Sequence, residues 1–429
     1  MLVVYTALAV LQSFATRLQW GPDEPGHIIY VRSLALDLRL PALTHGEEDN
    51  AYLPGAARTH EAHQPPLYYA LAALVWRAFA GLPDQTVTFT DDQGGRQSFT
   101  VPGAVRPVRL LSVVFGAAAL TLTWLTARVA YPSRPELWVA GAALAGFTPM
   151  FTYITGVVNN DSLLLLVFTA AAWQWARVLR WGAGRREAII LGLLIGLALH
   201  VKETGVAIAL VSAAVLAAAP GDARWRARAG QVGLALGLGG ALSAWWFVRK
   251  WLVWGSPLVY PYIYPLLGLP EKQGAALLST LPRLVFLFAV APADVIAARG
   301  NLALVERACQ GLAALSLVGL TLAFVRSRRG GMPRWEAWSL AVWLLAALVV
   351  LAGLVRNVLT VDWRMGTSGG RYLVCVLPLL ALTGARGLRA LLPRPLASRL
   401  VLAAACLLLL ALNIHCIWAT AAGYGTLGR

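Results

Sequence analysis

The chain has 429 residues, of which 58% are hydrophobic and only 13% are charged, whereas soluble domains are about half apolar and about a quarter charged. This composition excludes a water-soluble globular protein and predicts a membrane protein. The net charge of +16 could suggest nucleic acid, but the arginines lie in short clusters between apolar runs rather than along one soluble face. We therefore expect no nucleic-acid partner and use the clusters as markers of topology.

Apolar runs of about 20 residues, the length that crosses a hydrocarbon core, recur along almost the whole chain and leave no room for a sizeable soluble domain. The predicted fold class is all-α: one polytopic transmembrane domain over residues 1–429, with about eleven spans and with large external loops at 20–107 and 249–301. The predicted spans are 2–19, 108–127, 137–156, 162–180, the two arms of a hairpin at 188–219, 229–248, 302–325, 336–355, 371–386 and 398–418.

Arginine clusters fix the predicted orientation; they lie at 177–186, 224–228, 326–334 and 386–399. Because cytoplasmic loops carry the excess of positive charge, all four are placed on the cytoplasmic side of an inner membrane. Successive clusters must then be separated by an even number of crossings, so Leu67–Leu82, which contains Arg77, cannot be a span. We expect this stretch and Leu278–Ala291 to lie along the outer surface as helices with one apolar side.

The hairpin at Ala188–Ala219 gives each arm about 15 residues, or about 22 Å of helix, which is shorter than the roughly 30 Å hydrocarbon core. Its tip, His200–Glu203, is therefore expected below the outer surface. Charged groups at that depth are tolerated only inside protein or in a wet cavity. We predict a site that faces the periplasm or the cell exterior.

Asp23 and Glu24 follow the first predicted span directly, in the segment Gly21-Pro22-Asp23-Glu24-Pro25-Gly26-His27. Paired carboxylates held at the membrane surface suit a general base. The alternative is an acidic cap on the amphipathic helix expected over Ile28–Leu40, because acidic residues favour helix N-termini.

His60 and His63 lie three residues apart before Pro65 and Pro66, which fix an extended entry into the surface helix. Two histidines without a clear third ligand favour a hydrogen-bonded or lipid-interface function over a zinc site. No metal is assigned, and a divalent cation stays open as an alternative.

Three later groups face the same predicted cavity. Asn160 and Asp161 open the fourth span, either as functional polar groups or as helix caps. Lys202 at the hairpin tip and Arg371 after Gly369-Gly370 are placed to hold a phosphate at the outer headgroup level. Snorkelling to lipid phosphates is the alternative for these two cations.

Together these segments resemble the GT-C superfamily of membrane glycosyltransferases, closest to protein O-mannosyltransferases and aminoarabinose transferases. The resemblance covers the chain from its start to roughly Leu380. The matching segments are Pro22-Asp23-Glu24-Pro25-Gly26-His27, His63-Gln64-Pro65-Pro66-Leu67-Tyr68-Tyr69, Asn159-Asn160-Asp161, Gly370-Arg371-Tyr372 and Leu377-Pro378.

The resemblance implies an inverting transferase that moves a sugar from a polyprenyl phosphate to an acceptor hydroxyl on a protein, lipid or glycan. In that family an acidic residue of the first external loop is the base and cations hold the donor phosphate. Carried over, Asp23 is the base, Glu24 and His27 position it or the acceptor, and Lys202 and Arg371 stabilise the leaving phosphate. The other residues expected at the donor site are His63, Asn160, Asp161 and Tyr372.

Two other functions stay open. A transporter or flippase of lipid-linked glycans would place charges near the bilayer midplane on discontinuous helices and would often show repeated halves. A non-catalytic membrane assembly subunit would use the same polar residues only as caps and anchors.

Overall fold

The computed structural model describes residues 1–43, 58–90, 95–221, 224–257, 302–327, 332–360 and 369–424. The described chain is mostly helical, as the composition predicts. Its α-helices are α1 (Leu2–Ala15), α2 (Glu24–Arg32), α3 (Leu67–Ala78), α4 (Val105–Ala130), α5 (Pro135–Gly146), α6 (Pro149–Thr155), α7 (Asp161–Trp181), α8 (Arg185–Val201), α9 (Val206–Ala217), α10 (Trp225–Trp254), α11 (Leu302–Ser327), α12 (Arg334–Thr360), α13 (Leu377–Leu391) and α14 (Pro395–Tyr424).

Seven helices within the described ranges are long and apolar enough to cross a membrane, and an eighth span results if α5 and α6 count as one. The chain is therefore a multi-pass membrane protein. The other predicted spans coincide with α1, α8 and α9, which have 14, 17 and 12 residues. At about 1.5 Å per residue these helices are shorter than the hydrocarbon core, so the total of eleven crossings stays a prediction.

The predicted span 137–156 is broken, and α5 and α6 meet at an angle of 63°. Pro149 is the first residue of α6, and Thr148 before it has the extended backbone that a following proline favours. Asn413 on α14 donates a hydrogen bond to the carbonyl oxygen of Phe147 (3.0 Å) and accepts one from Thr152 (3.0 Å). The bend is stabilised because a neighbouring helix satisfies the backbone group that it frees.

The stretch that the arginine clusters exclude as a span forms α3, whose 12 residues extend only about 18 Å. Its buried face includes Tyr68, Tyr69 and Trp76, and Arg77 donates a hydrogen bond to the carbonyl oxygen of Ala35 (2.6 Å) in the segment after α2. The second predicted surface helix, Leu278–Ala291, and most of the loop 249–301 lie outside the described residues.

The segment between α3 and α4 contains an antiparallel hairpin that we did not predict, formed by β1 (Gln85–Thr90) and β2 (Arg96–Val101). Gln85 pairs with Val101 and Thr90 with Arg96. The alternation Thr86-Val87-Thr88-Phe89-Thr90 is the period-two signal that indicates a half-buried strand.

Alternating helix direction brings distant parts of the chain to one end of the bundle. The C-termini of α1 and α8 lie there with the N-termini of α2, α4, α7 and α9. A 3₁₀ helix at Gly369–Val376 leads into α13 at the same end. We call this the site end; the opposite end holds the starts of α5, α8, α12 and α14.

Candidate active site

Asp23 lies at the junction between α1 and α2, in the left-handed region with a φ of 54°. Aspartate is among the few residues that tolerate this conformation. It precedes α2 as the N-cap residue, but its side chain makes no capping hydrogen bond. Its carboxylate, 39% exposed, forms an ion pair with Arg371 instead. The Asp23 side chain therefore does not cap the helix.

Arg371 enters the site from the 3₁₀ helix that precedes α13. One terminal nitrogen donates to the Asp23 carboxylate and also to the hydroxyl of Tyr372, 3.0 Å away. Its Nε is buried and has no hydrogen-bond partner among the described residues. Burial raises the pKa of Asp23, and the positive charge of Arg371 is the largest of several contributions that lower it, so the pKa lies below its ordinary value.

Glu24 points the other way and is fully buried. Its two oxygens accept hydrogen bonds from Nε and a terminal nitrogen of Arg109 at 2.7 and 2.6 Å. They also accept from the backbone amides of Val158 (2.9 Å) and Gly21 (3.1 Å). Burial raises the pKa of Glu24, and the charge and hydrogen bonds of Arg109 bring it below its ordinary value. The arrangement ties the first loop to α4 and to the segment before α7.

Arg109, which sequence reasoning did not single out, completes this anchor. Its guanidinium also donates to the carbonyl oxygens of Ser13 (2.6 Å), Thr16 (2.7 Å) and Arg17 (2.9 Å). These are carbonyl groups at the end of α1, where a helix leaves its acceptors without intrahelical partners. One buried arginine thus fixes both the end of α1 and the start of α2.

Glu61, which we did not assign to the site, lies beside Asp23. It belongs to a 3₁₀ helix at His60–His63 and is only 4% exposed. His60 Nε2 donates to its Oε1 at 3.1 Å, and His27 Nδ1 lies 3.8 Å from its Oε2. Burial raises the pKa of Glu61, but the neighbouring histidines hold it well below its ordinary value.

Gly26 allows the 3₁₀ helix to approach α2 this closely. A Cβ atom at Gly26 would lie 2.9 Å from both His60 Cε1 and Thr59 Oγ1, which is closer than real side chains pack. Thr59 Oγ1 instead donates to the carbonyl oxygen of Gly26 (3.1 Å) and accepts from the amide of Glu61 (3.1 Å). Glu61 is thus held in place by backbone contacts.

The pKa values of the two site histidines are shifted in opposite directions. Burial lowers the pKa of His27, whose Nδ1 lies 2.9 Å from the Tyr69 hydroxyl. Burial also lowers the pKa of His60, but the hydrogen bond and charge of Glu61 raise it above its ordinary value. His63 donates from Nδ1 to the carbonyl oxygen of His60 at 2.7 Å, which matches the hydrogen-bonded alternative.

A donor atom from each of Asp23, His60 and Glu61 lies within 4.8 Å of the others. These oxygens and the imidazole nitrogen are suitable ligands for a divalent cation. Both carboxylates already have partners within the protein, Asp23 in Arg371 and Glu61 in His60. The metal site considered from the sequence used His60 and His63, but His63 does not belong to this group.

Lys202 lies at the break between α8 and α9 and is 7% exposed. Its Nζ donates to the carboxylate of Asp161 at 2.6 Å and lies 4.9 Å from the ring centre of Tyr372. Because Tyr372 also accepts from Arg371, a continuous row of polar groups runs from Asp161 through Lys202, Tyr372 and Arg371 to Asp23.

Asn160 is fully buried beside this row. Its amide donates to Gln64 Oε1 and to the carbonyl oxygen of Val201, both at 3.2 Å. The side chain that caps α7 is that of Asn159, whose Oδ1 accepts a hydrogen bond from the amide of Ser162 (3.1 Å). The side chain of Asn160 makes no capping hydrogen bond. Asn160 therefore couples the first loop to the tip of the α8–α9 hairpin.

A cavity of about 440 Å³ opens next to Lys202 and Tyr372. Its polar groups are those of Gln64, Lys202, Glu203, Thr204, Arg356 and Tyr372. The remaining wall is apolar and comes from α8, α9, α10 and α12; it consists of Leu199, Val206, Ala207, Phe247, Val349, Val350, Gly353 and Leu354. The cavity thus joins a cationic end to an apolar passage between helices.

The structure brings together six of the residues predicted for the site: Asp23, His27, Asp161, Lys202, Arg371 and Tyr372. It places Glu24, His63 and Asn160 behind them, in contacts that hold the loops. Residues 102–247, about a third of the chain, match a family model described as dolichyl-phosphate-mannose-protein mannosyltransferase. The fold is similar to that of ArnT from Cupriavidus metallidurans bound to undecaprenyl phosphate, with a TM-score of 0.56.

Residues 102–247 are thus similar to this mannosyltransferase family, and the fold of the whole chain is similar to that of ArnT. The likeness to ArnT covers 99% of this chain and 75% of that one at 13% identity, which establishes the fold. The Archaeoglobus fulgidus oligosaccharyltransferase tethered to an acceptor peptide is also similar, at 14% identity over 99% of this chain and 55% of that chain, with a TM-score of 0.49. No curated protein sequence matches this chain.

Proposed function

We propose that this chain is a glycosyltransferase of the GT-C superfamily, which transfers a sugar from a polyprenyl-phosphate donor to an acceptor hydroxyl, with inversion, at the non-cytoplasmic face of the inner membrane. The observation that carries the proposal is the ion pair between Asp23 and Arg371, which lies beside a cavity with the cation Lys202 at its polar end. A base and a phosphate-binding cation are the two groups that such a displacement requires.

The cavity supports a lipid-linked donor. Its apolar wall suits isoprenoid units, and Lys202 and Arg356 lie where a phosphate would enter. Arg371 adds a planar fork that suits a phosphate, and its Nε has no hydrogen-bond partner among the described residues. The similar ArnT structure contains undecaprenyl phosphate, a ligand of this chemical class.

In the proposed reaction, the acceptor oxygen attacks the anomeric carbon while its proton passes to the Asp23 carboxylate. The bond from the anomeric carbon to the phosphate oxygen breaks, and polyprenyl phosphate leaves with that electron pair. The leaving phosphate needs no proton, because the cations stabilise its charge. A single displacement inverts the anomeric centre.

Donor binding would also activate the base. In the free protein the charge of Arg371 keeps the pKa of Asp23 low, which makes the carboxylate a weak base. A donor phosphate that shares the same guanidinium weakens this pair, and the pKa of Asp23 then rises. The base becomes stronger only when the donor is present.

The buried Glu61 supports the base rather than replacing it. It is held by His60 and lies beside His27, so it orients the two rings that border Asp23. We assign Glu24 a structural function through Arg109, since all its hydrogen bonds lead away from the cavity.

The flippase alternative receives less support from the position of the charges. Gly146, Phe147, Thr148 and Pro149 at the break between α5 and α6 are uncharged. The candidate charges lie at the site end instead, at helix termini and in loops.

The decisive test is sugar transfer by purified Asp23→Asn from a radiolabelled polyprenyl-phosphate donor, with donor binding measured in parallel. We expect transfer to be lost and donor binding to be kept. Asp37→Asn, an exposed carboxylate of the same loop, is the matched control and should keep full activity. Full transfer by Asp23→Asn would reject the assignment, and continued donor translocation without transfer would favour the flippase.

A further inference from the structure

A second polar cavity, of about 310 Å³, lies at the opposite end of the bundle from the candidate active site. Four arginines line it, and the rest of its wall is largely apolar. The lining residues are Arg134, Arg326, Arg386, Arg389, Ala323, Met332, Ala390, Leu392 and Pro393. They come from the ends of α11 and α13 and from the segments that lead into α5, α12 and α14.

Only two carboxylates among the described residues pair with these four arginines. Glu336 Oε1 accepts from Arg134 at 2.9 Å and from Arg386 at 2.6 Å. Glu136 accepts from Arg389 at 3.0 Å. The described lining therefore keeps an excess of two positive charges.

Arg326 contributes a cation without a carboxylate partner among the described residues. One terminal nitrogen donates to the carbonyl oxygen of Ala390 at 2.7 Å, which fixes the guanidinium at the cavity. Among the described residues its other donors have no hydrogen-bond partner, which leaves them available to a ligand. A planar guanidinium with several free donors suits phosphate oxygens better than a lysine would.

The surroundings indicate which phosphate would reach this cavity. Phe324 on α11 is 57% exposed and Leu396 at the start of α14 is 71% exposed, and Leu392 between them is also exposed. In a membrane protein such side chains face acyl chains. Basic pockets between helix ends at a membrane surface are sites for anionic lipid headgroups.

We propose that this cavity binds the phosphate of an anionic phospholipid, with the acyl chains lying against the exposed apolar residues of α11 and α14. The lipid joins α11, α13 and the start of α14 at the end of the bundle that the arginine clusters predict to be cytoplasmic. This site is independent of sugar transfer and does not share residues with the candidate active site.

Native mass spectrometry of the delipidated protein in detergent tests the proposal, with phosphatidylglycerol, phosphatidylcholine and inorganic phosphate as separate probes. We expect retention of one phosphatidylglycerol in preference to phosphatidylcholine. Arg326→Gln should weaken phosphatidylglycerol binding about five-fold, the effect of one arginine at a lipid surface. Arg326→Gln with Arg389→Gln should weaken it further.

Arg185→Gln is the matched control, because Arg185 is an exposed arginine at the same end of the bundle and does not line the cavity. An equal loss of binding in Arg185→Gln would show general attraction to the basic surface and would overturn the proposal. Equal binding of both lipids, or inorganic phosphate that displaces phosphatidylglycerol at the affinity of the lipid itself, would also overturn it. Arg326→Gln keeps a donor for the Ala390 carbonyl oxygen, and an unchanged Tm verifies that it folds.

Discussion

The guanidinium of Arg371 donates a hydrogen bond to the carboxylate of Asp23, which lies 348 positions earlier in the chain. The pair joins the first external loop to the 3₁₀ helix before α13. It places the proposed base and the proposed phosphate-binding cation in direct contact. Each side chain stabilises the charged form of the other. Several expected results depend on this relationship.

Arg371→Lys keeps the charge but loses the guanidinium, whose terminal nitrogen donates to both Asp23 and Tyr372. We expect kcat to fall about 10²-fold, in the range for removal of a group that stabilises transition-state charge, and to fall at least as far in Arg371→Gln. Initial rates of sugar transfer measure this, and Arg39→Gln, an exposed arginine of the first loop, should retain normal rates. Near-normal kcat in Arg371→Gln would remove this residue from the mechanism.

The pH dependence of transfer should differ between kcat/KM and kcat. The pKa of Asp23 is lowered in the free protein, so the carboxylate stays ionised and kcat/KM should fall with acid only below about pH 4. In the donor complex the phosphate shares Arg371, the pKa rises, and the acid limb of kcat should lie at higher pH. A pH profile of both constants tests this, and coincident limbs would contradict the proposed competition for Arg371.

Glu24→Gln should act on stability rather than on chemistry. It leaves the buried Arg109 without its carboxylate, which we expect to destabilise the fold by about 3–5 kcal/mol. Thermal unfolding in detergent measures this as a lower Tm, whereas Asp23→Asn should change Tm little, because the Asp23 carboxylate is partly exposed.

The stability contributed by the ion pair between Glu24 and Arg109 should decrease as the pH falls. The pKa of Glu24 is lowered by folding, so its contribution is present above the ordinary glutamate pKa of about 4.3 and is lost as the pH falls through the lower folded value. The Tm difference between wild type and Glu24→Gln should therefore be full at pH 7 and should shrink well below pH 4. A difference independent of pH down to unfolding would contradict the ionic account.

Gly353→Phe should block the cavity beside Lys202. Gly353 lines this cavity, and a Cβ atom there meets nothing within 4 Å, so the ring can enter the space proposed for the lipid chain. We expect KM for the lipid donor to rise at least about five-fold. Gly311→Phe on α11 is the matched control, since Gly311 is also open but lines no described cavity, and equal effects in both variants would refute a lipid passage here.

Transfer should survive removal of divalent cations. Asp23, His60 and Glu61 are close enough to hold an ion, but both carboxylates already have partners within the protein, in Arg371 and His60. We therefore expect unchanged rates after treatment with EDTA and dialysis. Loss of activity that Mg²⁺ or Mn²⁺ restores would assign a metal to these three residues.

The sequence by itself determined that this protein lies in a lipid bilayer, and it determined most of the helices. Apolar runs long enough for a bilayer leave few other structures, because backbone groups in lipid must be paired within a helix. The arginine clusters also predicted that Leu67–Leu82 is not a span, and the structure has the 12-residue helix α3 there. The acidic motif also identified Asp23 from the local sequence alone, because Asp23 directly follows a predicted helix.

Only the tertiary structure separated the functions of neighbouring residues. Asp23 and Glu24 are adjacent in the sequence, yet one carboxylate faces Arg371 and the other lies buried against Arg109. The left-handed backbone at Asp23 turns the two side chains apart, and no local pattern names the distant arginine that each one meets. Glu61 joined the site for the same reason: its position depends on the close approach that Gly26 permits, which is a property of two packed segments rather than of either sequence.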